Sequence, residues 1–451
     1  MRITGVSVKK LFGIFDHNVP LNSSEHITIM HGPNGFGKTI LLTMINDLFT
    51  RNYSILLRIP YQEFSVSFDD NRNIRISKHS DTRNIELRNA LNIELLQNEK
   101  IIGSFDVKMP RHQDLGFPPE LITQLIPELQ RISQDTWLHL PSQEQLSIYE
   151  IFDRYSTQLP PAFRRDKLYK EEEWFTEIIK SVSIHFIVAQ RLFRFSRYTK
   201  SHELPNRSSM VPTVEAYSME LANALQSKLA EYGVLSQSLE RTFPARLIKS
   251  SNVQNINVNQ ILDSLEKLEN KRSSLIKTGL LDKGGEIDDR IFSFEITDSN
   301  KEALSIYVAD AVTKLKVFED LATKIELLMN MINKRFLYKT MSVNKKDGFV
   351  FKSFVGDTLT PAMLSSGEQH EIVLLYELLF QVNPGSLILI DEPELSLHII
   401  WQQQFLGDLQ QITKISNFDA LIATHSPQII HNRQDLMVDL KGPELAQVPN
   451  S

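Results

Sequence analysis

The 451-residue sequence contains no cysteine. This absence excludes disulfide bonds, thiolate zinc sites and cysteine nucleophiles. The sequence also has no apolar run of the roughly 18 to 20 residues that a membrane-spanning helix requires, so we expect a soluble, cytoplasmic protein with no membrane partner. A cationic surplus is missing as well, because the formal net charge is −6. DNA binding remains possible, but charge does not indicate it and it would need a local basic patch.

A glycine-rich loop lies near the N-terminus between two apolar segments. Residues His26 to Met30 predict a buried strand, and Ile40 to Ile45 continue at helical spacing. The loop between them matches the phosphate-binding pattern G-x-x-x-x-G-K-[ST] in full. In this pattern backbone amides surround the β-phosphate, the lysine supplies a cation and the threonine hydroxyl binds Mg²⁺. The predicted nucleotide-binding residues are Gly32, Asn34, Gly35, Gly37, Lys38 and Thr39.

Two carboxylates follow a second apolar strand. Residues Leu387 to Ile390 predict a buried strand that delivers Asp391 and Glu392 to its carboxyl end. An acidic pair after a strand is usually a solvated loop, but a nucleotide site needs carboxylates at this place. We therefore expect Asp391 to hold Mg²⁺ through water and Glu392 to polarise the attacking water as a general base.

Four further motifs occur in the order that ABC ATPases have them. The segment Leu364 to His370 resembles the ABC signature, Glu394 to His398 stands where that family places its D-loop, and His425 matches its switch histidine. Gln190, at the end of a predicted strand from Ile184 to Ala189, resembles the Q-loop glutamine. Together with the phosphate loop, these motifs resemble the SMC/RecF/OLD branch of ABC ATPases.

The resemblance implies roles for individual residues. His425 would sense the γ-phosphate, Gln190 would contact Mg²⁺ and water, and Ser396 would belong to the D-loop. The signature would bind the γ-phosphate of the opposite subunit, which requires a head-to-head dimer. The signature residues are Ser365, Ser366, Gly367 and Glu368. One departure is Phe36, where many relatives carry a small residue; we expect it to change loop packing without removing a ligand.

The resemblance also predicts the fold class. We expect an α/β, ABC-type P-loop ATPase head, in which a mixed sheet with an antiparallel β subdomain is interrupted by a helical, partly coiled-coil insertion. Short strands are predicted over 55–59, 64–68 and 74–76, and helices over 118–182. The predicted domains are 1–110, the N-terminal half of the head; 111–200, a helical region with the Q-loop strand; 201–337, a helical arm; and 338–451, the C-terminal half of the head.

The arm is predicted from apolar residues that alternate at spacings of four and three. The last run has the period of a coiled-coil seam and comprises Leu304, Val308, Ala311, Leu315, Phe318, Ala322, Ile325, Met329, Ile332 and Phe336. An earlier stretch, Val258 to Leu275, matches it except at Arg272, and we expect the two to pack antiparallel. Two alternatives stay open: a projecting dimerisation arm, or a helical subdomain packed on the head.

A basic and aromatic strip is the remaining candidate for nucleic-acid contact. Its members are Arg191, Phe193, Arg194, Phe195, Arg197, Tyr198 and Lys200. A solvated face or a subunit contact explains the same pattern. The histidines match no zinc spacing, so Mg²⁺ is the only metal that we expect.

Within the resembling branch, the motifs are most similar to stand-alone ATPases of bacterial anti-phage modules, the AriA type of PARIS systems and the PtuA type of Septu systems. These imply an ATP-dependent sensor and scaffold that holds a separately encoded nuclease, TOPRIM-like or HNH, until a phage protein triggers it. The short segment Met437 to Ser451 leaves no room for a nuclease domain in this chain. A DNA-repair ATPase that binds DNA directly is the alternative, and a transporter subunit is disfavoured by the long arm.

Overall fold

The computed structural model consists of two compact units. Unit 1 comprises Met1–Val211 together with Glu377–Ser451, and unit 2 comprises Pro212–Tyr376. Unit 2 therefore contains residues 212–337 of the predicted arm and also the following segment up to Tyr376, including the predicted signature. The structure describes residues 1–78, 90–108, 120–133, 136–140, 143–155, 158–160, 169–189, 191–196, 209–250, 258–282, 298–395 and 397–442.

Unit 1 contains a six-stranded antiparallel sheet. Its strands are β1 (Ile3–Leu11), β2 (Phe15–Pro20), β4 (Glu63–Phe68), β5 (Arg72–Lys78), β6 (Ala90–Gln97) and β7 (Lys100–Lys108). They follow the order β2-β1-β4-β5-β6-β7. In β4, Phe64, Val66 and Phe68 are buried while the intervening residues are partly exposed, because successive side chains of a strand point to opposite faces. The predicted strands over 64–68 and 74–76 are confirmed.

A second, five-stranded sheet is entirely parallel. It contains β3 (Ile27–His31), β11 (Ile184–Ile187), β17 (Leu387–Asp391), β18 (Asp419–Thr424) and β19 (Met437–Asp439) in the order β11-β17-β18-β3-β19. All five residues of β17 are buried, as expected for a parallel strand covered on both faces. Asp391 pairs with Ala423, and Ala423 pairs with Met30. The strands β3, β17 and β18 therefore end at the same edge of the sheet.

Helices cover the sheets of unit 1. They are α1 (Lys38–Thr50), α2 (Tyr53–Arg58), α3 (Glu120–Leu125), α4 (Ile148–Arg154), α5 (Glu173–Ser181), α11 (Ile399–Ser416) and α12 (Pro427–Ile430). A π-helical turn spans Glu377–Gln381, and a 3-10 turn spans Gln434–Leu436. Leu41 and Leu48 of α1 share one core with Val66 of the antiparallel sheet and Leu389 of the parallel sheet. A single core therefore supports the strand ends and the helix that starts beside them.

Two local predictions are wrong. The segment 55–59 was expected to be a strand, but residues 55–58 lie in α2, in which Tyr53, Ile55 and Leu56 are buried. Within the predicted helical region 118–182, three short strands form an antiparallel sheet around the buried Trp137. Strands of three or four residues are too short to display a reliable period-two pattern. They are β8 (Leu129–Arg131), β9 (Thr136–His139) and β10 (Glu144–Ser147).

Unit 2 is built from helices and one small sheet. Its helices are α6 (Thr213–Ser250), α7 (Val258–Lys277), α8 (Asp298–Lys316), α9 (Glu319–Arg335) and α10 (Ser366–Tyr376). The antiparallel strands are β14 (Lys339–Asn344), β15 (Gly348–Ser353) and β16 (Thr358–Leu359), and a 3-10 turn covers Pro361–Met363. Two further strands, β12 (Phe193–Ser196) and β13 (Ser209–Pro212), precede α6 along the chain.

The predicted apolar seam lies on α8 and α9, which are separated by a turn at residues 317–318. Leu315, Phe318, Ile325 and Ile332 are at most 2% exposed. Most of the seam is therefore buried, as its spacing predicts, although Leu304, Val308 and Met329 are only partly buried. Among the described residues, no helix is both long and apolar enough to cross a membrane.

The predicted direction of helix pairing within the arm is wrong. The antiparallel partner of α8 is α6, since Arg246 pairs with Asp310 and Glu240 with Lys314, so the residue numbers run in opposite senses. In contrast, α7 and α9 run in the same direction, because Lys271 contacts Glu319 and Ser274 contacts Glu326. Apolar spacing identifies the face of a helix that is buried, but it carries no information about direction.

Candidate nucleotide site

The glycine-rich loop connects the end of β3 to the start of α1. Gly35 and Gly37 have φ angles of 85° and 83°, in the left-handed region that favours glycine. A Cβ added to Gly37 would lie 2.6 Å from Leu11 Cδ2, so this position also excludes a side chain sterically. The loop consequently curls tightly before α1, whose first amide groups have no helical acceptor of their own. This is the backbone geometry that an anion site requires.

Lys38 is held against the loop. Its ammonium donates to the carbonyl oxygens of Gly32 at 2.7 Å and Pro33 at 3.1 Å, and the residue is only 5% exposed. These two bonds keep a cation beside the curled backbone, where the phosphates of a nucleotide would lie.

Phe36 is accommodated by packing on the neighbouring hairpin. Its ring centroid lies 5.2 Å from that of Phe15, and its carbonyl oxygen is 2.8 Å from His17 Nε2. Burial lowers the pKa of His17, although the contact with Phe36 opposes this shift. The role of His17 was missed by sequence analysis, because it lies far from the loop along the chain. Phe36 thus packs against Phe15 and His17 of the hairpin, and the expectation that it removes no ligand stays a prediction.

Thr39 and Asp391 meet at the edge where β17 ends. The Thr39 hydroxyl donates to Asp391 Oδ1 at 2.9 Å. Asp391 is 6% exposed. Burial raises the pKa of this carboxyl group, and the nearby carboxylates of Glu392 and Glu394 raise it further, against the hydrogen bond from Thr39 and the charge of Lys38. Two oxygen atoms that could bind a metal ion therefore lie side by side. Burial and the neighbouring carboxylates disfavour an unneutralised negative charge at this place.

Glu392 occupies a strained turn after β17. Its φ angle is 43°, which is uncommon for a residue with a side chain, and its amide donates to the Ala423 carbonyl at 2.9 Å. Strained backbone of this kind clusters at functional sites. The side chain remains 25% exposed, and its Oε1 lies 3.7 Å from His425 Nδ1. The predicted base and the predicted switch histidine are therefore neighbours at one edge of the sheet.

Two of the predicted site residues lie outside the described part of the chain. They are Gln190, the Q-loop candidate, and Ser396, the D-loop candidate. The residues on either side of each are described. Arg197, Tyr198 and Lys200 of the basic strip also lie outside the described residues, whereas Arg191 is only 5% exposed and contacts the Val188 carbonyl. Arg191 is therefore not part of a solvated face.

The predicted signature residues form the start of α10 in unit 2. The amide and hydroxyl of Ser365 each donate to Glu368 Oε2 at 2.9 Å, and the Glu368 amide approaches Ser365 Oγ at 3.4 Å. This reciprocal pattern is a capping box, which satisfies otherwise unpaired amides at a helix start. The Lys339 ammonium donates to both oxygens of Glu368 at 2.8 and 2.7 Å. Burial favours a higher pKa for Glu368, but the bonds from Lys339 and Ser365 outweigh it and lower the pKa.

Among the described residues, no group of three or more His, Cys, Asp or Glu side chains is arranged to hold a metal ion. The pair of Thr39 and Asp391 supplies only two oxygen atoms. A divalent ion at this place would need further oxygen atoms from a substrate or from water.

Comparisons with known proteins identify a matching family model and a curated relative. The family model AAA_15, described as AAA ATPase domain, matches residues 1–430. A segment of 85 residues is 34% identical to the retron Ec83 probable ATPase of Escherichia coli, covering 16% of this chain and 15% of that protein.

Similar solved structures include two SMC head domains. The head domain from Pyrococcus furiosus, with an extended coiled coil and the C-terminal domain of ScpA bound, has a TM-score of 0.33 and 12% identity over 98% of this chain and 94% of that one. The SMC head domain from Thermotoga maritima has a TM-score of 0.32 and 10% identity over 95% and 91% of the two chains. The expected P-loop fold with a helical insertion is thus confirmed by the family match and by the sheets and helices described above. Because the family model covers most of the sequence, the chain belongs to the AAA ATPase domain family AAA_15.

Proposed function

We propose that the edge formed by β3, β17 and β18 binds ATP with Mg²⁺ and hydrolyses it. The observation that carries the proposal is the hydrogen bond between Thr39 and Asp391, 352 positions apart, beside the curled loop that holds Lys38. Hydroxyl and carboxylate oxygens are ligands that Mg²⁺ accepts, and a cation would offset the charge that raises the pKa of Asp391. When bound, Mg²⁺ supplies positive charge against the phosphate oxygens.

Each residue at this edge has a defined task in the proposal. The loop amides and Lys38 bind the β- and γ-phosphates. Glu392, exposed enough to contact a water molecule, orients that water and takes its proton. His425 contacts the γ-phosphate from the end of β18. Gln190 is assigned to Mg²⁺ and water, and Ser396 to the D-loop, on the resemblance alone.

We further propose that two chains associate head to head, with Ser365, Ser366, Gly367 and Glu368 binding the nucleotide of the opposite chain. The start of α10 supports this: the capping box engages the amides of Ser365 and Glu368, and the amides of Ser366 and Gly367 have no acceptor within the helix and can bind an anion. Sedimentation velocity of the Glu392→Gln protein tests it, with Lys38→Ala as the control. ATP should raise the mass of the first variant to that of a larger assembly and leave Lys38→Ala unchanged. An ATP-independent mass for Glu392→Gln, measured at concentrations where it binds ATP, would contradict the dimer.

The biological role that we propose is an anti-phage sensor and scaffold of the PARIS or Septu type, which holds a separately encoded nuclease until a phage protein triggers it. The support is the local identity with the retron Ec83 probable ATPase. A TOPRIM-like nuclease is the first choice and an HNH nuclease the second.

Affinity purification from the native host, followed by mass spectrometry, tests this role. The expected result is one nuclease recovered with the wild-type chain in stoichiometric amount and released when a phage protein is co-expressed. The alternative, a DNA-repair ATPase, predicts instead that the purified chain binds duplex DNA in an ATP-dependent manner that weakens steeply with salt.

A further inference from the structure

Glu394 is a buried carboxylate for which sequence analysis found no individual role. It lies three residues after Asp391 and is only 7% exposed. Its Oε1 accepts hydrogen bonds from Thr424 Oγ1 at 2.6 Å, from the His425 amide at 3.0 Å and from the Ser426 amide at 3.2 Å. One oxygen atom therefore holds three consecutive residues of the turn that follows β18.

The same oxygen atom also faces the imidazole ring. Glu394 Oε1 lies 3.2 Å from His425 Nδ1. A carboxylate at this distance engages Nδ1 and leaves Nε2 as the ring nitrogen available to a substrate, which is the way buried carboxylates orient histidine in many sites. Glu394 thus contacts both the backbone and the ring of His425.

A second side chain holds Glu394 and the turn together. Gln402 of α11 donates from Nε2 to the Leu397 carbonyl at 3.0 Å and, more weakly, to the Glu394 carbonyl at 3.4 Å, while its Oε1 accepts from the Ser426 hydroxyl at 2.9 Å. The loop after β17 and the turn after β18 are therefore joined twice, once by Glu394 and once by Gln402. This link gives His425 a fixed position relative to Glu392.

The two carboxylate oxygens of Glu394 differ in their hydrogen bonding. Within the described part of the chain, Oε2 is buried and has no hydrogen-bond partner. Leaving a buried carboxylate oxygen unpaired costs free energy, and a glutamine could accept the same three hydrogen bonds without a charge. The hydrogen bonds that Oε1 accepts are therefore the feature of Glu394 on which its role depends.

From these contacts we infer that Glu394 is a positioning residue for ATP hydrolysis: it fixes the turn 424–426 and the ring of His425 against the γ-phosphate. The inference rests on the proposed function of this edge. It predicts that loss of Glu394 lowers kcat while ATP binding is retained, because the loop amides and Lys38 do not depend on this carboxylate. Removing the groups that orient a functional side chain typically costs about 10- to 100-fold.

The experiment is a double-mutant cycle on the full chain. ATP turnover is measured for Glu394→Ala, His425→Ala and the combined variant, and binding of a fluorescent ATP analogue is measured for each. We expect Glu394→Ala to lower kcat by about 10- to 100-fold with KM and analogue affinity changed less than about threefold. In the His425→Ala background, the further change should be less than about twofold. Independent, multiplicative losses would overturn the inference.

Two controls separate a failure to fold and a failure of the proposed function. Glu394→Gln keeps an oxygen that can accept the three hydrogen bonds, so it should recover most of the kcat lost in Glu394→Ala; a glutamine variant as inactive as alanine, with an unchanged thermal unfolding midpoint, would contradict positioning by these bonds. Lys38→Ala reports on the proposed function itself. If Lys38→Ala binds and hydrolyses ATP normally, the nucleotide site is wrongly placed, whatever the result at Glu394.

Discussion

The two units differ in whether their buried carboxylates form ion pairs with lysine or arginine. In unit 1, Asp391, Glu392 and Glu394 converge at the edge of the parallel sheet, and among the described residues no lysine or arginine forms an ion pair with any of them. In unit 2, Glu368 is paired with Lys339. Glu371, which follows Glu368 on the same helix, is paired with Arg335. The pKa of Asp391 is raised by burial, whereas the pKa of Glu368 is lowered by its hydrogen bonds.

This difference separates the carboxylates at the strand edge of unit 1 from the ion-paired carboxylates of unit 2. Carboxylates that serve only the fold are matched with cations of the same chain, because an unpaired buried charge is costly. In the proposed function, the carboxylates at the strand edge are neutralised by the Mg²⁺ ion that binds with the nucleotide. Strongly perturbed groups collect at functional sites for this reason. We therefore expect mutations at the strand edge to act on activity, and mutations of Arg335, Glu371 and Lys339 in unit 2 to act mainly on stability.

The largest expected effect is on activity, at Asp391. Asp391→Asn keeps an oxygen that can accept from Thr39 but removes the charge offered to Mg²⁺. Loss of a metal-binding carboxylate should lower kcat by roughly 1000-fold, because metal ions contribute several kcal/mol to such reactions. Steady-state ATP turnover measures it. Asp439→Asn, at the end of β19 on the same sheet edge and 3.2 Å from His31, is the matched control and should remain active.

The second effect is on stability, at the buried pair of unit 2. Arg335 and Glu371 have side chains that are each 4% exposed. Glu371→Leu leaves the guanidinium buried without this partner and should reduce the free energy of unfolding by about 3–5 kcal/mol. Urea denaturation followed by circular dichroism measures it. The double variant Arg335→Met with Glu371→Leu should recover most of the loss; a double variant as unstable as the single one would exclude unpaired charge as the cause.

Sequence patterns located the strand-edge cluster well. The predicted strands around the loop, β3 and β17, place Lys38, Thr39, Asp391 and Glu392 within one site, because parallel strands end at a common edge. The position of Glu394 was not predictable from spacing. Its contacts are with residues 30 to 32 positions later in the chain, and they depend on how two loops meet.

The helical unit was predicted less completely, for a physical reason. The buried seam on α8 and α9 follows from its spacing, but the direction in which α7 and α6 pack depends on turns that carry little pattern. The pairing of Lys339 with Glu368 was also hidden, because Lys339 lies 29 residues before its partner. Charges that meet through tertiary structure leave no local period in a sequence.

A pH titration sharpens the comparison further. A carboxyl group with a raised folded-state pKa, such as Asp391, favours folding in its protonated form, so its contribution is lost as pH rises from the unfolded value of 3.8 through the folded pKa. Glu368 behaves oppositely: its contribution is present above the unfolded value of 4.5 and is lost as pH falls through its lowered pKa. Stability of ligand-free Asp391→Asn, measured between pH 3 and pH 7, should therefore exceed that of the wild type at the upper end. A Glu368→Gln protein should lose stability relative to the wild type there, and equal pH profiles for the two variants would contradict the distinction.

The smallest effect is expected at Lys339, whose ion pair is only partly buried. Its side chain is 25% exposed and that of Glu368 is 12% exposed, so solvent screens the interaction. Lys339→Met retains the aliphatic stem and should cost about 1 kcal/mol in the free energy of unfolding, well below the loss at Glu371. Glu368 would still accept from the Ser365 amide and hydroxyl, so the start of α10 stays capped. ATP turnover then decides what the pair is for. Near-normal kcat assigns Lys339 to stability alone, in line with the other ion pair of unit 2, whereas a tenfold loss at unchanged stability would show that Lys339 also holds Glu368 in place for its proposed contact with the nucleotide of the opposite chain.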